Sequence, residues 1–213
     1  MSSQIVMVTG AAGNLGAAVA KAFADLGAKL VPVDLPTNLL DQAQVDRAVQ
    51  EAIRQFGRID VLCNIAGGFR MGPPVHETSD KDWNFLLDLN ARTVLHTARA
   101  VVPHMISAGG GKIVNVGAYA AQKGAAQMGA YIASKSAVIR LTETMAAELR
   151  EKNINVNCVL PTILDTPQNR AAMPKVDPKK WVAPADLAAV IVFLASDEAR
   201  AIHGAALPVT GLS

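Results

Sequence analysis

Tyr131 and Lys135 stand four residues apart in GAYIASK, a spacing that puts both side chains on one face of a helix. An ammonium beside a phenol favours phenolate and draws its pKa toward working pH, so the pair could pass a proton to or from a reacting oxygen. The bland alternative is a packed aromatic and a solvated surface charge. Upstream, after the apolar run KIVNV, a second hydroxyl would help to hold that oxygen, yet the chain has Gly117 and Ala118 there. The chemistry suggested is acid/base transfer at an oxygen with one hydrogen-bond donor absent. Gln127, Met128 and the loop from Thr162 to Trp181 are expected to border the substrate.

TGAAGNLG, residues 9 to 16, follows a first apolar strand and opens a helix. Glycines at 10, 13 and 16 let backbone approach a diphosphate, and the helix N-terminus offers unpaired N–H groups. Gly10, Gly13, Asn14, Leu15 and Gly16 are therefore expected at a dinucleotide. Asn14 stands where a glycine could be, and Asn tolerates left-handed backbone angles. Asp34, about 20 residues beyond the turn, can hydrogen-bond a ribose diol and would repel a 2′-phosphate, which favours NAD(H) and leaves NADP(H) possible.

These groups need a scaffold. QIVMVTG, KLVPVDL, RIDVLCNIAGG, KIVNVGA, INVNCVLP and GAALPVTG read as strands, and helical patterns separate them. One long helical stretch is expected over residues 80 to 110, bent before Pro103. Strands alternating with helices imply parallel pairing, hence a Rossmann-like, doubly wound α/β sheet in a single domain over residues 1–213. Ligands then bind at the carboxyl ends of the strands, where Asn64 to Gly68, Gly117 with Ala118, and Pro161 with Thr162 outline a crevice. VDLPTNLLDQ, residues 33 to 42, leaves no room for another helix and strand. Either the fold is trimmed there or a segment is absent.

Hydrophobic residues make up 51% and charged ones 18%, with a formal net charge of +2 and no basic run, so nucleic-acid binding has no electrostatic support. No apolar stretch approaches membrane-spanning length. The start MSSQIVMVTG lacks the basic and long apolar regions of a leader, so a cytoplasmic protein is expected. Cys63 and Cys158 are expected to be reduced and buried in strands. The histidines at 76, 96, 104 and 203 show no ligand spacing, and no metal is expected. Glu77, Asp80 and Asp82 read as a helix N-terminal cluster. Asn169 and Arg170 either bind a polar ligand or cap their own loop.

Together, TGAAGNLG, NIAG at 64 to 67, Asn90 in LDLNART, YIASK at 131 to 135 and VNCVLPTILDTP at 155 to 167 resemble the short-chain dehydrogenase/reductase family across the chain. The resemblance implies hydride transfer between a nicotinamide ring and a small carbonyl, alcohol or activated imine-type substrate. It makes Tyr131 the acid/base and Lys135 both a ribose contact and the modulator of the tyrosine. It makes Asn90 the holder of a relay water. Asn64, Ala66, Gly67, Pro161, Leu164 and Thr166 become cofactor contacts alongside Tyr131 and Lys135. A homodimer or homotetramer is implied in the same way.

The chain departs from the family pattern at Ala118 (usually Ser), Ile65, Thr162 and the short connection after Asp34. Losing one donor to a developing oxyanion costs on the order of 3 kcal/mol, roughly a hundredfold in rate. LDTPQNRAAMP, Trp181 and GAYAAQKGAAQMGAYIASKSAV look like the dihydropteridine reductase branch, whose activated substrate needs less electrophilic help. A rival from another class is a nucleotide-binding scaffold or sensor that has lost its chemistry.

Overall fold

Ile5–Thr9 (β1) carries an unbroken run of buried residues, as a strand covered on both faces must. In the computed structural model, which describes residues 3–213, β1 lies inside a six-stranded parallel sheet. The other strands are β2 (Lys29–Val33), β3 (Val61–Asn64), β4 (Gly111–Val116), β5 (Ile154–Pro161) and β6 (Ala206–Val209), in the order β2-β1-β3-β4-β5-β6. Met1 and Ser2, part of the stretch read above for a leader, lie outside the described residues.

Successive side chains along each strand enter opposite layers. Val6, Val8, Val61 and Cys63 pack with α1 (Asn14–Asp25) and α7 (Pro184–Leu194) through Val19, Phe23, Leu187 and Ile191. Met7, Leu62 and Ile113 pack on the other face with α2 (Gln42–Phe56), α4 (Thr93–Ser107) and α5 (Gly129–Leu149) through Val49, Val101 and Ala146. The sheet is thus doubly wound, as expected. Cys63 and Cys158 are free and buried in β3 and β5. No helix among the described residues is long and apolar enough to cross a membrane.

The long helix expected over residues 80 to 110 is instead two. α3 (Asp80–Leu87) passes through a π turn at Asp88–Arg92 before α4, and Pro103 lies inside α4. A π turn inserts one extra residue per turn and redirects the side chains it carries. Here it carries Asn90.

The segment after β2 is short and closed. In the dinucleotide fold of strand order 3-2-1-4-5-6 a further strand lies outside the second, whereas β2 is the edge here. Its Pro32 sits in that edge strand, where a missing N–H leaves no broken ladder. Thr37 N–H donates to Asp34 O (2.9 Å), and Asp41 caps α2 by accepting from the N–H groups of Ala43 and Gln44. His96 Nδ1 donates to Leu39 O at 2.9 Å, pinning the connection to α4.

Candidate active site

The order of strands reverses between β1 and β3, and there the carboxyl ends open a crevice. Gly10 turns the chain out of β1 with φ +65°, and a Cβ on it would lie 2.9 Å from Ala66 Cα. Only glycine fits both demands. A Cβ on Gly16 would lie 2.0 Å from Gly10 O, so the first turn of α1 closes directly onto the loop. Gly13 is the N-cap and supplies no side-chain cap, which leaves first-turn N–H groups available to an anion. These glycines fit a diphosphate. Asn14 does not need left-handed angles, because it is the first residue of the helix; its side-chain amide donates to Gln168 Oε1 at 2.9 Å. Leu15 turns its side chain into the core, so only its backbone remains for a ligand.

Asp34 sits beside the turn, accepting from Ala12 N–H (2.7 Å) and from Leu35 N–H (2.8 Å). A carboxylate has about four acceptor positions, so a diol still finds room on it. Thr9, overlooked in the sequence, ties the crevice walls together: its Oγ1 accepts from the N–H groups of Ile65 and Ala66 at 3.1 Å each.

Asn64, expected at the cofactor, has another task. Its side chain is 3% exposed, donating to Asn115 Oδ1 and accepting from Thr97 Oγ1, both at 2.8 Å. Asn115 in turn donates to Thr142 Oγ1 at 2.9 Å. This chain stitches β3 and β4 to α4 and α5. The last strand residue points into the helical layer, which the motif alone does not reveal.

Ala66 lies against Gly10 of the glycine turn. A Cβ on Gly67 would lie 2.8 Å from Asn90 Oδ1 and 3.0 Å from Lys135 Nζ, so both polar groups crowd over one small residue. Asn90, 1% exposed, accepts from Gly68 N–H (2.9 Å) and donates to Gly68 O (3.1 Å) and Ser134 Oγ (3.0 Å). Its amide thereby joins the 64–68 loop to α5.

Lys135 is 5% exposed and donates to Val116 O at 2.8 Å. Burial draws its ammonium down from 10.5 to about 8. Tyr131, in the first turn of α5, is pushed up from 10.0 to about 12 by burial. The expected acidification of the phenol is therefore reversed in direction, because desolvation dominates and Lys135 is engaged with the end of β4. Phe69, also overlooked, packs edge-on against the Tyr131 ring with centroids 4.9 Å apart.

A cavity of about 80 Å³ lies beside Tyr131, bounded by the loop at 70–73, α3 and residues 127–130, with Gln127 and Met128 among its lining. Gln127 adopts φ +61°, uncommon without glycine, and its carbonyl accepts from Gly72 N–H at 2.9 Å. Ala118 is 4% exposed and does not line this cavity; β4 turns directly into a short helical turn through Ala121 N–H to Ala118 O (3.0 Å). Nor does any residue of the 162–181 loop line it. That loop meets the start of α1 instead, where Gln168 accepts from Asn14. Pro161 ends β5, Leu164 bridges Val182, and Thr166 caps the short helix α6 (Pro167–Ala172), which the sequence did not announce. Asn169 donates to Leu164 O and Arg170 makes two bonds to Asp165, so both cap their own loop.

A parallel sheet with a glycine turn at its reversal point and a Tyr/Lys pair across the crevice defines a dinucleotide-dependent oxidoreductase. The family model described as enoyl-(acyl carrier protein) reductase matches residues 32–211. D-threitol dehydrogenase of Mycolicibacterium smegmatis is 34% identical, covering 99% of this chain and 93% of the relative. That alignment runs over 242 residues, more than the 213 of this chain, so the relative carries insertions. The aldohexose dehydrogenase of Thermoplasma acidophilum, in ligand-free form, superposes with a TM-score of 0.90 at 28% identity over 99% of this chain and 94% of that one. A 3-ketoacyl-(acyl-carrier-protein) reductase of Brucella melitensis complexed with NADH gives 0.87 at 28% identity, over 98% and 97%. The chain belongs to the short-chain dehydrogenase/reductase family and is an NAD(P)-dependent dehydrogenase/reductase.

Proposed function

We propose that the protein exchanges hydride between nicotinamide and a small carbonyl compound or the matching alcohol, with NAD(H) preferred over NADP(H). The observation that carries this is the Tyr131–Lys135 pair on the first turns of α5, with Tyr131 bordering a cavity and Lys135 crowding Gly67 beside the glycine turn. The bound dinucleotide supplies or takes the hydride. Tyr131, neutral at working pH, gives its proton to the carbonyl oxygen during reduction and takes one back during oxidation. Lys135 stabilises the phenolate that forms. Asn90 is a positioning residue, holding the 64–68 loop against α5.

Asp34 supports the NAD(H) preference, and residues 33 to 42 contain no Lys or Arg to meet a 2′-phosphate. Ala118 leaves the oxygen one donor short, in keeping with an easily reduced substrate. No relative named above is a dihydropteridine reductase, and no feature of the cavity favours a pterin. Assembly into a homodimer or homotetramer belongs to the same proposal: Ala137 and Leu141 of α5 are only partly buried, and Leu95 and Ile106 of α4 are exposed. A solution mass of one chain would contradict it.

The test is steady-state reduction of a panel of small ketones with NADH and with NADPH. Turnover with NADH at the higher kcat/KM is expected. Tight NADH binding by calorimetry without turnover of any ketone or alcohol would favour the scaffold reading and defeat this one.

A further inference from the structure

Arg70 is the one cationic side chain among the described residues lining the Tyr131 cavity. It stands on the loop after β3, and its NH1 donates to Asp82 Oδ1 at 2.8 Å. Its guanidinium carbon lies 4.3 Å from the centroid of the Phe85 ring. Asp82 is itself anchored at the start of α3: Ser79 Oγ donates to Oδ2 (2.8 Å) and accepts from Asp82 N–H (3.1 Å). The guanidinium is thus held against α3 by a fixed carboxylate and a ring face. Its Nε and NH2 donors have no partner among the described residues. Both oxygens of Asp82 already accept hydrogen bonds. Two guanidinium donors, Nε and NH2, therefore remain for a ligand, while Asp82 is already tied to Arg70 and Ser79.

A planar donor fork pairs best with a planar group that only accepts. We propose that Arg70 binds the carboxylate of a short oxo acid, or of the corresponding hydroxy acid, whose ketone or hydroxyl oxygen meets Tyr131. The cavity of about 80 Å³ suits a short carbon chain, for which Met71, Leu86 and Met128 provide apolar cover. Repulsion from Asp82 acts through a partly aqueous, high-dielectric surrounding, since Arg70 and Asp82 are 49% and 37% exposed. The two N–H···O bonds act at contact. The proposal rests on the hydride-transfer reading above and specifies its substrate.

The experiment is initial-rate reduction of 2-oxobutyrate, acetoacetate, 2-butanone and 1-hydroxy-2-butanone by the intact protein and by Arg70→Met, with NADH and NADPH. One oxo acid should exceed both neutral ketones in kcat/KM by roughly tenfold to a hundredfold, the range of charge-assisted hydrogen bonds. Arg70→Met should remove that advantage, mostly through KM, and leave the neutral ketones unchanged; Arg70→Lys should restore part of it. A neutral ketone matching the oxo acids, or a variant that slows all four alike while still binding cofactor, would overturn the assignment but leave hydride transfer standing. Turnover of none of them, nor of any other ketone or alcohol, would defeat both.

Discussion

Tyr131 and Lys135 meet opposing demands. Burial keeps the phenol protonated, with its pKa at about 12, which suits a group that must donate. The same burial makes the ammonium easy to discharge, at about 8. Because the folded-state pKa of Lys135 lies below its unfolded value, the folded protein sheds this proton first. The penalty is complete below about pH 8 and is relieved as pH rises toward 10.5. Against a Lys135→Met variant, wild type should therefore gain about 2 kcal/mol of relative stability between pH 7 and pH 9.5. Urea unfolding at the two pH values checks this. A pH-independent difference would show that Lys135 is not desolvated as described.

At the scale of elements, the site depends on how closely α1, the 64–68 loop and α5 approach one another. Gly16→Ala drives a Cβ into Gly10 O at 2.0 Å, whereas a Cβ on Gly124 meets nothing within 4 Å. Gly16→Ala is expected to lose about 1–3 kcal/mol of stability and to weaken NADH binding, with Gly124→Ala as the silent control. Thermal melts and calorimetry on both report it; equal behaviour would sink the packing account. The turn was legible because three glycines after an apolar strand leave few other structures. The commitments of Asn64 and Leu15 were not, since side-chain direction at a strand or helix end is settled by partners far along the chain, such as Thr97 and Asn115. The π turn that aims Asn90 was hidden for a similar reason: residues 80 to 107 contain no glycine and no proline before Pro103, so no local break marks the extra residue. Phe69 and Arg70 lie on an irregular loop with no periodicity to read.

Across the whole molecule, the alternation of strand and helix was enough to define a doubly wound sheet. The short connection after Asp34 already showed that something was missing at one edge. What the residues could not say is that the edge would close so neatly, through Asp41, His96 and a turn at Asp34–Thr37. The sheet brings the glycine turn, Tyr131 and a small cavity to one edge, and the proposed reaction needs all three to act together. The most direct test follows NADH absorbance in a single turnover of wild type and Tyr131→Phe on a reducible ketone, with NADH binding measured in parallel. Unchanged binding with chemistry slowed roughly a hundredfold to ten-thousandfold is the predicted result. A Tyr131→Phe protein that turns over at the wild-type rate would contradict the account.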